Sequence, residues 1–574
     1  MTSFGGKIDF IYRRLGERGL LSAIFAVMLS IHVVFAMRMS LPSLYPYEFE
    51  AAGWLHTLLY SPFHFLIDNP VTRYRSMLIL NGIIAALIPL MVYRLTAVTG
   101  LEKAWQRTLV AIVAGVGTAA FAYTKFIWGE TLALFLPFLV LWLFIKASKT
   151  KNRFLRHILS ILLAFVLGAA PSADSRLWTL TLVTILVVIS AKYILRVKSV
   201  YLTTFLVPLV AFTVFGMYTG ERINAAEMGL ESVPFPAFAL EFAGMRSILH
   251  AFTGQLYYFA VSTWGLGILG MCLCVPTIFT AVRNRKNNIE SGKPYLAVLA
   301  LFAFLYNVFM LIVSALHGAR LLEAGQVSQD MYIFGRFIDS ASPFMLVFVL
   351  CYVFTHGLDF RKLLYAIISL GAVFALFLNF TAAVMTAHDT LSPESIQGFS
   401  PARISTAVNE PVNMDGIFFI VSATFCFIAL LVVLVSCAER YRKHVISFCV
   451  ALAVTYSCIH SAFVFLPYEI KRGEQQNALT AAVSEFVYNS GDAPPVYVLN
   501  NEDNIAPLLR FLNRNAQITA AEDFDALPED CFIVIRADKT YILDNIIILG
   551  YAGELVFAAK GERAEAYVIS QEGN

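Results

Sequence analysis

Eight ionisable residues stand in short polar stretches at the ends of apolar runs: Glu48 and Glu50 in YPYEFE, Lys125 and Glu130 in YTKFIWGE, Asp174 and Arg176 in PSADSR, and Arg336 and Asp339 in FGRFID. A carboxylate placed just after an apolar helix can take a proton from an incoming hydroxyl, which is general-base work, and Glu48 and Glu50 have that position. The competing reading is a pair of solvated loop acids. Lys125, Arg176 and Arg336 are matching cations. Alone, such residues more often form structural ion pairs or headgroup contacts. Together, acids and cations at one membrane depth can hold an anionic lipid head while a hydroxyl is activated beside it.

The elements that must position these residues follow from composition. Of 574 residues, 58% are hydrophobic and only 14% charged, with a mean hydropathy of +0.70, whereas soluble proteins carry about 25% charged residues. That excludes a soluble protein, and a net charge of +3 excludes a strongly basic nucleic-acid binder. Apolar runs recur near residues 20–37, 76–93, 108–124, 131–145, 158–171, 177–191, 199–219, 254–282, 294–315, 337–357, 363–387, 416–437 and 445–467. Read as the apolar cores of membrane-spanning helices, which need roughly 20 mostly apolar residues, they make about thirteen.

Lys and Arg accumulate on the cytoplasmic side of such helices. Of the 42 basic residues, 24 fall in alternate loops, ten in the opposite loops and eight after residue 467, whereas sixteen acids occupy the opposite loops against six in the basic ones. The N-terminus is therefore placed inside and the tail outside the cytoplasmic membrane. The first run follows a basic stretch with no small-residue cleavage site behind it and reads as an uncleaved anchor. Glu48, Glu50, Lys125, Glu130, Asp174, Arg176, Arg336 and Asp339 then all lie on the outer side.

Three outer segments are long. Residues 38–75 form the first outer loop, polar at both ends and amphipathic between, with Trp54, Tyr60, Phe63 and Phe65 suited to a helix lying at the headgroups. Residues 220–253 and 388–415 are the others. After residue 467 the chain turns soluble in character, with 17 acids and 8 bases. The sequence thus divides into a membrane domain, 1–467, and a small extracytoplasmic α/β domain, 468–574. In the latter, residues 476–488 and 504–513 read as helices, and PPVYVL (494–499), CFIVIR (531–536) and stretches near YILDNIIILG and ELVFAA as strands. With no GxGxxG, P-loop or nucleophile elbow, this domain reads as support or recognition.

Metal sites have weak support. His64, His250, His317 and His460 show no HExxH or paired spacing, and Cys272 and Cys274, spaced CxC within an apolar run, read as buried soft hydrophobes. The outer acids suffice for a divalent cation without a spacing that demands one.

The pattern resembles the GT-C superfamily, multi-spanning glycosyltransferases that use polyprenyl-phosphate-linked sugars. The resemblance rests on YPYEFEAAGWLHTLLYSPFHFLIDNPVTRYRSMLILN, where Tyr47-Glu48 stands in the place of an Asp-Glu pair, on the WGE ending at Glu130, the Arg176 turn, GQLYYFAVSTWGLGILG (254–270) and FGRFID. It implies a bacterial cell-envelope enzyme that moves a sugar from a lipid phosphate to a glycan, lipid or protein acceptor on the outer face. Glu48 or Glu50 would be the base, and Arg176, Arg336 or Lys125 would neutralise the leaving phosphate. Glu130, Asp174 and Asp339 would line the substrate site, with no certain cofactor beyond a possible divalent cation. Two other readings stay open: a transporter or flippase for a lipid-linked sugar, and a non-catalytic assembly subunit. A transporter calls for internal repeats and broken helices at corresponding positions of two halves, and no convincing repeat is found.

Overall fold

The computed structural model describes residues 4–39, 54–127, 129–197, 200–224, 242–284, 294–323, 329–385, 416–436 and 455–467 of the helical region. In the C-terminal region it describes 495–499, 517–521, 527–536, 546–552 and 555–561, with isolated positions 470, 506, 509, 510 and 524. The chain is a polytopic α-helical membrane protein. Among the described residues, eight helices are long and apolar enough to cross a bilayer, and a ninth span is added if the bent pair Gln329–Asp339 and Ser342–His356 counts as one. Two shorter apolar helices, Leu202–Gly216 and Phe419–Val435, match further runs.

The sequence reading needs correcting at two runs. The run at 108–124 is not one helix: α4 (Ala104–Gly115) gives way at Val116–Gly117 to α5 (Thr118–Tyr123). The run at 254–282 is also interrupted. Its first half belongs to a helix that starts earlier, α10 (Phe242–Ser262), and its second half is α11 (Leu266–Arg283). Between them Trp264 and Gly265 take left-handed backbone angles, φ 56° and 73°, a conformation that glycine adopts without a side-chain penalty. Thr263 Oγ1 caps the new helix by accepting from Gly267 N at 3.0 Å. Apolar composition cannot register either break. The thirteenth run, 445–467, is described only from residue 455 on.

Earlier in the chain, α1 (Phe4–Arg38) is followed by α2 (Trp54–Leu66) and α3 (Pro70–Thr96). Asn69 starts α3 by accepting from Thr72 N at 2.9 Å, with Pro70 in the first turn, where its missing N–H costs nothing. Next come α6 (Glu130–Lys149), α7 (Arg153–Ala169), α8 (Trp178–Tyr193) and α9 (Leu202–Asn224). Beyond α11 lie α12 (Tyr295–Glu323), the short α13 (Gly335–Asp339), α14 (Ser342–His356) and α15 (Phe360–Phe377).

The basic turns gather at one end of this body. Arg156 reaches Thr150 O and lies 5.4 Å from the Tyr201 ring, Lys149 lies 5.2 Å from the Tyr295 ring, and Arg107 donates to Leu101 O at 2.7 Å. The turns carrying Glu130, Arg176 and Arg336 meet at the other end. These described turns are among the loops that charge patterning groups together in the sequence.

The C-terminal region contains a five-stranded mixed sheet of order β2-β1-β3-β5-β4, built from β1 (Val496–Leu499), β2 (Ile518–Ala521), β3 (Cys531–Arg536), β4 (Ile546–Ala552) and β5 (Leu555–Lys560). Strand β1 pairs in parallel with β2 and β3, and β5 runs antiparallel to β3 and β4. β3 coincides with the strand read from CFIVIR. β2, in the sequence ITAA, was not anticipated because two of its four residues are alanines of low strand preference. The helices read at 476–488 and 504–513 lie wholly or mostly outside the described residues.

Candidate functional site

The site is built on three turns at the acidic end of the bundle. In the turn between α7 and α8, Asp174 Oδ1 accepts from the backbone N of Arg176 at 2.9 Å and from its Nε at 2.8 Å, and Oδ2 accepts from Nη2. That locks the guanidinium toward Glu130, the first residue of α6, whose Oε1 accepts from Arg176 Nη2 at 2.7 Å. An acid in a helix's first turn also complements the helix dipole. Arg336, on α13, donates from Nε to the same Oε1 at 2.5 Å and adds an Nη2 contact. Arg176 Nη1 in turn reaches Arg336 O at 2.9 Å, and its guanidinium covers the Phe337 ring at 5.0 Å.

Two carboxylates and two guanidiniums therefore compensate one another in a nearly dry setting, with Glu130 only 2% exposed. Burial alone would raise the Asp174 carboxyl, but Arg176 and then Arg336 outweigh it and hold the group below the ordinary carboxylate range. Glu130 Oε2 is buried and accepts no hydrogen bond from the described residues.

The segment that brings in Arg336 bends by 54° between Asp339 and Ser342. It packs tightly on α10: a Cβ on Gly254 would collide with Tyr332 O. Asp339, on the same short helix, is held by tyrosines. Its carboxylate accepts from Tyr123 at 2.8 Å and from Tyr258 at 2.9 Å, so α5, α10 and α13 are tied by one buried acid.

Lys125 lies in the α5–α6 turn and is 1% exposed. Its Nζ donates to Thr124 Oγ1 at 3.0 Å and lies 5.6 Å from the Phe35 ring centre, and it forms no ion pair among the described residues. Thr124 Oγ1 also lies 3.2 Å from His32 Nδ1 on α1 and donates to Phe121 O at 2.9 Å. Tyr74 holds the turn through Lys125 O at 2.6 Å, and Asn81 through Phe126 O at 2.8 Å, while Tyr60 of α2 bonds to Asn81. Desolvation lowers the Lys125 ammonium from its ordinary value to about 7. Burial likewise pushes His56, in the same corner, down to about 4. A hydroxyl and an aromatic ring offset only part of the cost of burying the Lys125 ammonium.

Of the residues singled out in the sequence, Glu130, Asp174, Arg176 and Arg336 come together in one cluster. Asp339 and Lys125 occupy separate pockets of polar contact beside it, joined through the Tyr123–Thr124–Lys125 turn. Glu48 and Glu50 lie outside the described residues. Of the described residues flanking that loop, Met39 O accepts from Arg75 at 2.8 Å, and Trp54 packs on Phe165 of α7 and Phe215 of α9. Tyr123, Tyr258, Thr124 and His32 escaped the sequence reading, because uncharged polar groups inside apolar runs carry no local mark. Among the described residues no three His, Cys, Asp or Glu side chains converge where a metal ion could be held.

No protein family's sequence pattern matches the chain, and no curated protein does. Among solved structures, the chain resembles ArnT from Cupriavidus metallidurans bound to undecaprenyl phosphate, at 13% identity and a TM-score of 0.50 over 95% of this chain and 98% of that one. The apo form of the same protein gives 14% identity and a TM-score of 0.49, over 94% and 98% of the two chains. The chain therefore shares the polytopic helical fold of ArnT.

Proposed function

We propose that this protein is a membrane glycosyltransferase that moves a sugar from a polyprenyl-phosphate carrier to an acceptor at the outer face of the cytoplasmic membrane. The observation that carries this reading is Lys125, a fully buried cation with no carboxylate partner among the described residues, beside a self-compensated acid–arginine cluster. An ammonium kept at that cost is suited to an anion that arrives with substrate. ArnT, whose fold the chain shares, was solved with undecaprenyl phosphate bound, and a phosphate of that kind is an anion Lys125 would hold.

In the proposed reaction Glu48 or Glu50 takes the proton of an acceptor hydroxyl. The acceptor oxygen forms a bond to the anomeric carbon, and the bond from that carbon to the carrier's phosphate oxygen breaks. The phosphate leaves with the bonding pair, and its added negative charge falls to Lys125, with Arg336 at the cluster's more open edge. Arg176, held by both Glu130 and Asp174, fixes the geometry of that edge.

The test is sugar transfer by the purified chain in liposomes that contain a polyprenyl-phosphate-linked sugar. Glu48→Gln or Glu50→Gln is expected to lower turnover by about 10²–10⁴-fold, the usual contribution of a general base. If both single variants and the double variant keep wild-type turnover, neither residue is the base. Arg336→Ala is expected to weaken use of the lipid donor more than it harms folding. A reporter fused after residue 574 is expected outside the cytoplasm, and a cytoplasmic signal would reverse the orientation.

A further inference from the structure

At the end of α14 far from Asp339, α11 and α15 part. Pro276 lies inside α11, so the Cys272 carbonyl loses its helical donor, and the Thr277 hydroxyl bonds to Leu273 O at 2.7 Å. Both features bend or loosen a helix locally. Nearby, Cys272 Sγ still touches Ser369 Oγ of α15 at 3.6 Å. Toward the start of α15 the helices leave a groove of about 850 Å³ lined by Val275, Pro276, Phe360 and Tyr365, with Asp359, Arg361 and Lys362 at its polar end. That volume falls within the ~300–1,000 Å³ of small-ligand sites.

The groove is amphipathic. Phe360 is 66% exposed, Tyr365 64% and Val275 56%, so its walls offer apolar and aromatic surface. At the rim Lys362 pairs with Asp359 at 2.8 Å and lies 5.5 Å from the Tyr352 ring, close to the C-terminal end of α14. Arg361 is exposed and forms no ion pair among the described residues, so the rim carries one net positive charge. A free inorganic anion would leave the apolar wall in water. A neutral lipid would leave Arg361 without a counter-charge. An anionic phospholipid answers both, since basic clefts between membrane helices select anionic headgroups while apolar walls take an acyl chain.

We propose that this groove binds an anionic phospholipid, with its phosphate at Arg361 and Lys362 and an acyl chain against Val275, Pro276 and Phe360. The proposal is independent of the glycosyl-transfer reading, because the groove lies at the opposite end of the helical body from the cluster.

The full chain, purified in detergent, would be titrated with phosphatidylglycerol or phosphatidylcholine and the retained lipids counted by native mass spectrometry. Wild type is expected to retain phosphatidylglycerol at least fivefold more strongly than phosphatidylcholine, and Arg361→Gln to reduce that preference to below twofold. Asp359→Asn is expected to increase it two- to threefold, because Lys362 is then released from its acid. Val275→Trp, which fills the groove, should remove binding while leaving the rim charges in place. Equal retention of the two lipids, an unchanged preference in Arg361→Gln, or displacement of the lipid by excess inorganic phosphate would overturn the proposal. Arg361 forms no ion pair that folding needs among the described residues, so its variant keeps the test open even where the others unfold.

Discussion

Arg336 and Glu130 stand 206 residues apart in the chain, yet Nε of the arginine reaches Oε1 of the glutamate at 2.5 Å, and Arg176 reaches the same oxygen at 2.7 Å. One carboxylate oxygen thus closes α6, the α7–α8 turn and α13 into a single corner. The consequences are first structural. Removing one partner from a buried ion pair typically costs about 3–5 kcal/mol, because the other charge stays buried. Glu130→Gln, which strips both arginines of their shared acid, is expected to lower thermal stability in detergent markedly. Arg336→Ala is expected to lower it less, since Arg176 still pairs with Glu130 and Arg336 is the more exposed partner, at 18% against 8% for Arg176. The order of the two melting temperatures checks this.

Lys125 should impose a pH dependence. Its folded-state value of about 7 lies below the ordinary 10.5 of an unfolded lysine. Between those values the unfolded chain holds a proton that the folded chain has shed. The stability penalty is therefore full below pH 7, shrinks as pH rises through that window and vanishes above about 10.5. Lys125→Met is expected to melt above wild type at pH 7, with the gain shrinking toward pH 10. For catalysis, kcat/KM for the lipid donor should fall as pH rises past about 7, and this limb should be absent in Lys125→Arg, which keeps its charge.

Thr124 is expected to act through its neighbour. Its hydroxyl accepts from Lys125 and stands beside His32. Loss of a hydrogen bond to a charged group costs about 1.5 kcal/mol, so Thr124→Val should raise KM for the lipid donor roughly tenfold, with Thr124→Ser close to wild type. In a Lys125→Met background the threonine change should have no further effect on KM. Additive losses in the double variant would show that Thr124 works by another route.

Asp339 should behave as a strut. Tyr123→Phe or Tyr258→Phe alone leaves the carboxylate one phenolic donor and should cost about 1 kcal/mol each, whereas the double variant leaves a buried acid stripped of both and should cost more than the sum. Thermal unfolding of the three variants measures that excess. Additive single losses would mean that the two tyrosines do not share the load of one acid.

Much of this arrangement can be read without coordinates. Membrane character, the alternation of loops and the β3 strand follow from composition and periodicity, because translocating Lys and Arg is costly along any such chain. The scarcity of charge also made Lys125, Glu130, Asp174, Arg176, Arg336 and Asp339 visible as candidates, each at the end of an apolar run. Which of them meet was decided only by tertiary structure. Ion pairing depends on how three turns pack, and nothing local to PSADSR or FGRFID distinguishes Arg176 and Arg336, which share Glu130, from Asp339, which turns to Tyr123 and Tyr258. The breaks at Val116–Gly117 and Trp264–Gly265 belong to the same class. Hydropathy averages over about twenty residues, whereas a left-handed pair or a missing helical donor acts at one or two, and only the packed helices around such a position determine whether the chain bends there.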